Sequence, residues 1–248
     1  MQTLLVDFGN SRIKWAIHNT QSLQASAVLT HRQQALPALL AQAWADLPSP
    51  QRVVIASVAD AERRAQLAQW IQQHWSLDPE FIVSPAHGHG LRNSYQEPAK
   101  LGCDRWAAMV AAYHAANAAV CIVDCGSAVT IDVVDASGQH RGGLILPGVH
   151  TMQAALTAHT TLAPLDFSQA PGNLLGTSTQ EAIACGITHA ISALVQQTLA
   201  ELARSSDIRA SCYLTGGDAA IIAPLLALPY VLVPDLVLQG LAHMAHAT

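Results

Sequence analysis

Charge is scarce in this chain: Asp, Glu, Lys and Arg together make up 12% of its 248 residues. The formal net charge is −5 and no run of basic residues occurs, so nucleic acid is not expected as a partner. Cysteine is sparse and unpaired. Cys103, Cys121, Cys125, Cys185 and Cys212 form an odd set without Cys-x-x-Cys spacing, which argues against a zinc ribbon or a disulfide framework and for reduced core thiols. The apolar start of the chain is cut by Asp7, so no signal peptide is expected, and no stretch is read as long enough to span a membrane. Linkers and low-complexity tracts are missing too. These absences leave a soluble, cytoplasmic protein. The Gly-x-x-x-x-Gly-Lys-Ser/Thr phosphate loop is also absent, and Gly88-His89-Gly90 lacks the third glycine and the strand–helix context of a dinucleotide fingerprint. His87, His89, His150 and His159 have no metal-ligand spacing and read as surface or core residues.

What is plentiful is apolar residues, at 51%. That is enough to fill two cores of a hundred-odd residues each, with room for an apolar subunit contact. An internal repeat supports two halves. LLVDFGNSRIKWAI at residues 4–17 and CIVDCGSAVTIDVV at residues 121–134 align without gaps at Val6/Val123, Asp7/Asp124 and Gly9/Gly126. Each copy reads as a strand ending in an acid, a glycine turn and a second strand; in the first copy Ile13, Trp15 and Ile17 alternate with Arg12, Lys14 and Ala16. A third strand follows each copy, through a turn at residues 19–21 into 25–29, and through Asp135–Gly138 into 143–146. Helices are expected over 31–47, 60–75 with Asp60 as N-cap, 104–118 and 178–203, with buried strands at 53–57 and 212–215. The expected fold is α/β: duplicated actin/hexokinase-like (ribonuclease H-like) halves, 1–118 and 119–248, with mixed sheets flanked by helices and a cleft between them.

Two segments carry chemistry. Asp7-Phe8-Gly9-Asn10-Ser11-Arg12-Ile13-Lys14 combines a turn open enough for main-chain N–H groups to meet a ligand, amide and hydroxyl donors, and a cation. Asp7 is suited to hold Mg²⁺ through water. A hairpin whose polar residues merely satisfy its own backbone is the plainer alternative, and the second turn at Asp124 tips the balance toward phosphate binding. The second segment is Tyr95 with Leu101-Gly102-Cys103-Asp104-Arg105-Trp106, at the start of an Ala-rich helix. Asp104 is explained by the helix dipole alone, but Arg105 stands at the unfavourable end of a helix. As a pair they suit a small substrate, Arg105 binding a carboxylate or amide oxygen and Asp104 accepting a hydroxyl proton. Gly216-Gly217-Asp218 after a strand suits close stacking against adenosine and also reads as a helix start with Asp218 as its cap, two compatible readings.

Together these groups resemble one family, type III pantothenate kinase (Bvg accessory factor-like proteins). The resemblance runs through Asp7-x-Gly9-Asn10-Ser11-x-x-Lys14, Tyr95, Leu101-Gly102-x-Asp104-Arg105-Trp106 and Asp124-x-Gly126-Ser127-Ala128-x-Thr130-x-Asp132. It continues through Gly142-Gly143-x-Ile145-x-Pro147-Gly148 and Ser178-Thr179-x-x-Ala182-Ile183-x-x-Gly186, in family order over nearly the whole chain. It implies ATP-dependent phosphorylation of pantothenate, the first step of coenzyme A biosynthesis, with Asp104 as proton acceptor. Tyr95, Gly102, Cys103, Arg105 and Thr179 would contact pantothenate, and Asp7 to Lys14 with Ser127 the ATP phosphates. Asp124 would sit at a monovalent cation site, for potassium or ammonium, that the family needs besides Mg²⁺; a homodimer is also implied. Ser178 departs from the pattern, standing where the family has asparagine. Another small-metabolite kinase, or a regulatory protein without turnover on the same fold, are the competing readings.

Overall fold

A computed structural model describes residues 2–19, 22–24, 27–31, 35–158, 167, 172–206 and 208–246. The turn at Thr20 and Gln21, the strand start at Ala25 and Ser26, helix positions 32–34 and His159 lie outside the described residues. The first part of the chain forms β1 (Thr3–Phe8), β2 (Arg12–His18), β3 (Ala27–Thr30), α1 (Leu36–Ala43), β4 (Arg52–Ser57) and α2 (Ala61–Trp75). Short strands β5 (Glu80–Phe81), β6 (His87–Gly88) and β7 (Leu91–Arg92) lead to α3 (Cys103–Ala116). Then come β8 (Val120–Cys125), β9 (Ala128–Val134), β10 (His140–Pro147), α4 (Val149–Thr157), α5 (Thr179–Ser206) and β11 (Ser211–Thr215). The chain ends with α6 (Ala219–Ile222), β12 (Tyr230–Leu232) and α7 (Leu236–His246). The repeat suggested one cut near Ala118; the contacts group Met1–Ala111 with Asp235–Thr248 as one unit and Ala112–Pro234 as the other.

The first unit is built on a sheet ordered β3-β2-β1-β4-β5, with β1, β2 and β3 antiparallel and β4 and β5 parallel to β1. β1 and β4 are nearly continuous apolar runs because the centre of such a sheet is covered on both faces. Leu4, Val6, Phe8, Ile13, Trp15 and Ile17 share a core with Leu36, Leu40, Leu67, Trp70 and Ile71 of the covering helices and with Trp44 just past α1. α2 starts where expected, the Asp60 carboxylate accepting the Arg63 N–H at 2.8 Å. α1 does not begin at residue 31 but at Leu36, with Pro37 in its first turn, the one place where a missing N–H costs nothing. α7 packs back onto β1, β2 and β4. Its Gly240 lies so close to α3 that a Cβ there would sit 1.9 Å from the Ala107 carbonyl oxygen.

The second unit repeats the plan with sheet order β10-β9-β8-β11-β12. The duplication reaches individual side chains. In β1 and β8 every residue is buried except the fifth, half-buried Asp7 and Asp124; in β2 and β9 the first residue is exposed, the third half-buried and the rest buried. The hairpin loops differ, however. Residues 9–11 separate β1 from β2, but only residues 126–127 separate β8 from β9. The gapless alignment therefore slips past the turn: Asp7 faces Lys14 and Asp124 faces Thr130, so Thr130 rather than Ile131 is the counterpart of Lys14. This is the doubled actin/hexokinase-like fold.

One expectation fails here. α5 is long and apolar enough, by length and composition, to cross a membrane. Its apolar residues were not read as one run because polar positions interrupt them in sequence. In the fold Cys185, Ile187, Thr188, Ile191, Ser192 and Val195 line its buried face, and Ile187, Ile191 and Val195 join the core of the second unit.

Candidate active site

In the first unit, Asp7 is the last residue but one of β1, half-buried and directly opposite Lys14. The Gly9 N–H donates to the Arg12 carbonyl at 3.0 Å, closing the turn. Asn10 and Arg12 are exposed and Ser11 and Lys14 half-exposed, so the polar groups of the motif face outward. Phe8 and Ile13 have no exposed surface and belong to the core, which leaves only their main chain for a ligand.

The second segment is held by a scaffold that begins at the β6–β7 hairpin. His89 and Gly90, at φ 53° and 77°, form its two-residue loop, the left-handed pair that matches strand twist. Just after it, the Asn93 carboxamide donates to the Pro85 and Pro98 carbonyls at 3.2 and 3.1 Å and accepts the Tyr95 N–H at 3.0 Å. Tyr95 is thereby set to receive Arg105, whose Nη1 donates to its hydroxyl at 2.9 Å while the guanidinium lies 5.7 Å from the ring centre. Only 8% of Arg105 is exposed. A cation at a helix start is thus accounted for by partners from a distant loop. Asp104, half-exposed in the first turn of α3, accepts the Arg105 N–H at 2.8 Å. Its carboxylate folds over Gly102, where a Cβ would come within 2.5 Å of Oδ1.

Ser57 joins the two segments. It ends β4 beside Phe8 in register, its N–H meets the Cys103 sulfur at 3.1 Å, and the thiol donates to its carbonyl at 3.4 Å. The Cys103 side chain is therefore turned into the backbone of β4. Burial first, and then the Asp104 charge, push this thiol up to about 11, with a further contribution from Asp7. Both carboxylates lie within electrostatic reach of one sulfur, so the end of β1 and the start of α3 share one rim of the sheet. Sequence reasoning missed Ser57 and Asn93. Ser57 was accessible in principle, since the last residue of a parallel strand next to β1 belongs at the same rim; nothing local marks Asn93.

The second unit carries the counterpart turn. The Gly126 N–H donates to the Ala128 carbonyl at 3.0 Å, and the carbonyl of exposed Ser127 accepts the Gly148 N–H at 3.0 Å and the Thr151 hydroxyl at 2.7 Å. Gly216, at φ 93°, packs so tightly that a Cβ would lie 2.5 Å from Asp124 Oδ1. Asp218 stands at the start of α6, but its side chain makes no capping bond; it is buried and lies 3.6 Å from His150 Nε2, while its N–H donates to the Cys125 carbonyl at 3.0 Å. Thr179 opens α5. Its turn is fixed by Ser178 Oγ, which accepts the Glu181 N–H at 3.2 Å, and by the Glu181 carboxylate, which accepts the Thr177 N–H at 2.7 Å. Serine thus serves as the cap where an asparagine was expected. Among the described residues there is no group of three or more His, Cys, Asp or Glu side chains that could hold a metal ion.

Comparison with known proteins gives these positions a context. The type III pantothenate kinase family profile matches residues 3–201. A type III pantothenate kinase of Nitrosococcus oceani is 39% identical over 250 residues, covering 99% of this chain and 94% of the relative. Among solved structures, the activator of the 2-hydroxyisocaproyl-CoA dehydratase from Clostridium difficile, with bound ADPNP, superposes with a TM-score of 0.53 at 13% identity, over 100% of this chain and 95% of its own. A glucokinase from an Antarctic psychrotroph does so with a TM-score of 0.51 at 12% identity, over 100% and 99%. At such identities the structural likeness speaks to fold alone.

Proposed function

The chain belongs to the type III pantothenate kinase family and phosphorylates pantothenate with ATP, the first step of coenzyme A biosynthesis; we propose that Asp104 is the proton acceptor in that reaction. The observation that carries this role is the placement of the Asp104 carboxylate. It is held over Gly102 by the Arg105 N–H, beside the Arg105–Tyr95 pair, on the rim that Asp7 also reaches.

Arg105 offers its guanidinium N–H groups to a carboxylate or amide oxygen of pantothenate, and Tyr95 keeps the fork in place. Gly102 leaves room for the Asp104 carboxylate beside the substrate, Cys103 serves through its main chain, and Thr179 adds a hydroxyl contact. Asn10, Ser11 and Ser127 donate to the ATP phosphates, and Lys14 adds a point charge. Asp104, a carboxylate, is too weak a base to ionise an alcohol outright. It takes the proton late, as the bond to phosphorus forms, so positioning and electrostatics supply most of the acceleration.

The residues present fit two cations. Asp7 supplies the single half-buried carboxylate that Mg²⁺ commonly takes through water alongside substrate phosphates. Asp124, half-buried beside Gly216, would offer a hard carboxylate oxygen to potassium or ammonium. When bound, such cations offset charge on the phosphates. A homodimer completes the reading, supported by exposed Ile145, Leu174 and Leu175.

Asp104→Asn keeps the hydrogen bond to Arg105 but loses the proton acceptor. Its kcat should fall by about a hundredfold or more, with an unchanged melting temperature. Turnover within a few-fold of the parent would remove Asp104 from the role.

A further inference from the structure

Beneath the Gly9–Arg12 turn lies a histidine that none of the sequence motifs contains. His31 follows β3, is wholly buried, and meets the Phe8 ring edge-on at 5.2 Å. Its Nε2 lies 2.9 Å from the Gly9 carbonyl oxygen, and its main-chain N–H donates to the Ser11 carbonyl at 3.1 Å. From the other side, Arg63 Nη1 contacts His31 Nδ1 and donates to the His31 carbonyl at 3.3 Å. Arg63 is itself fixed, because its N–H is the group that caps on Asp60 at the start of α2.

This arrangement selects one tautomer. A guanidinium has donors only, so Nδ1 must present its lone pair to Arg63. The ring proton then sits on Nε2 and is donated to the Gly9 carbonyl. The consequence falls on the next residue: in a planar trans peptide the C=O and N–H point to opposite sides. Tying the Gly9 carbonyl inward therefore turns the Asn10 N–H outward, where the Asn10 side chain is exposed. A glycine turn left untied would sample other peptide orientations, and an N–H that must be aimed on binding contributes less to affinity.

We propose that His31, oriented by Arg63, is a positioning residue for the reaction: it fixes the peptide plane between Gly9 and Asn10 so that the Asn10 N–H faces the ATP phosphates. This rests on reading Asp7 to Lys14 as the phosphate-binding turn. The pair acts through the backbone and touches neither substrate.

The test is steady-state kinetics on the full chain, varying ATP and pantothenate separately, for His31→Ala, His31→Gln, Arg63→Met and Lys14→Ala. Glutamine carries a donor at the reach of Nε2 and an acceptor for Arg63, so it can restore both bonds. His31→Ala and Arg63→Met should raise KM for ATP about tenfold, the weight of one well-placed buried hydrogen bond, while KM for pantothenate stays within twofold. His31→Gln should recover most of the loss. If His31→Ala proves too unstable to assay, Arg63→Met, a half-buried position, carries the test alone. A normal KM for ATP in Arg63→Met, an equal rise for both substrates, or no recovery in His31→Gln would overturn the positioning role. Lys14→Ala separates the layers. If it raises KM for ATP while His31 and Arg63 variants do not, only the positioning role falls; if it too leaves KM for ATP unchanged, the phosphate-binding reading falls with it.

Discussion

Gly102→Ala is a small change with a calculable consequence. The added Cβ would stand 2.5 Å from Asp104 Oδ1, about an ångström inside van der Waals contact. The obstacle is a short side chain, so the carboxylate must rotate away and give up the Arg105 N–H, now at 2.8 Å. A hydrogen bond to a charged group contributes about 1.5–3 kcal/mol, and Asp104 is half-exposed, so a loss of about 1–2 kcal/mol is expected. Alanine in place of glycine returns about 0.4–1 kcal/mol by restricting the unfolded chain. The net change in stability, about 1 kcal/mol or less, moves the melting temperature of a chain this size by only a few degrees. Catalysis should suffer far more, because a carboxylate displaced by about an ångström can lower kcat roughly a hundredfold. ADP release measured at saturating ATP with pantothenate varied, beside a thermal melt, reads both effects. A variant with kcat within threefold of the parent would refute the argument, since the carboxylate would then not need to sit where it does.

Tyr95→Phe removes the hydroxyl that receives buried Arg105, so KM for pantothenate should rise about five- to tenfold with KM for ATP unchanged; equal rises for both would contradict the assignment. Gly240→Ala drives a Cβ to 1.9 Å from the Ala107 backbone oxygen, which cannot swing aside as a side chain can. Overpacking of about 3 kcal/mol should lower the melting temperature by roughly 10 °C, and a drop under about 2 °C would show that α7 is free to shift. Burial raises Cys103 to about 11 and Cys212 to about 12 from an ordinary 9.0, and Cys121 and Cys125 higher still. Unfolded thiols therefore ionise first, so the stability they contribute is complete below about pH 9 and is lost as pH rises through the folded values. Melting temperature should fall steadily above pH 9, and at pH 8 these thiols should resist iodoacetamide until the chain is unfolded; rapid labelling of the native protein would contradict their burial.

Much of the fold was legible because it is written locally. The Asp60 cap, the Asp135–Gly138 turn and the strand–acid–glycine grammar at Asp7 and Asp124 each lie within a few residues, and each appears where the sequence places it. What escaped depends on distant partners or on a single residue of length. The one-residue difference between the two hairpin loops cannot be seen in a gapless comparison, although it decides that Thr130 stands opposite Asp124. Pro37 delays α1, a local signal outweighed by the Ala- and Leu-rich composition around it. The return of α7 to the first unit leaves no mark in its own residues. At the site, the chemistry-bearing side chains were visible as Asp104 and Arg105, but not what holds them. Tyr95 receives Arg105 only because Asn93 ties a loop to Pro85 and Pro98, and His31 reaches Gly9 only through the pairing of β2 with β3. Asp218 stands at a helix start, as one reading of the Gly-Gly-Asp run has it, but its carboxylate makes no capping bond and lies 3.6 Å from His150, a distant residue that nothing local announces.

The central claim is that this chain transfers phosphate from ATP to pantothenate. ADP formation should be followed with Mg²⁺ and with potassium, ammonium or sodium as the sole monovalent cation, each in the presence and absence of pantothenate. The account predicts turnover that requires pantothenate and is supported by potassium or ammonium but not by sodium. Folded protein that forms no ADP in response to pantothenate with any of the three cations would contradict it.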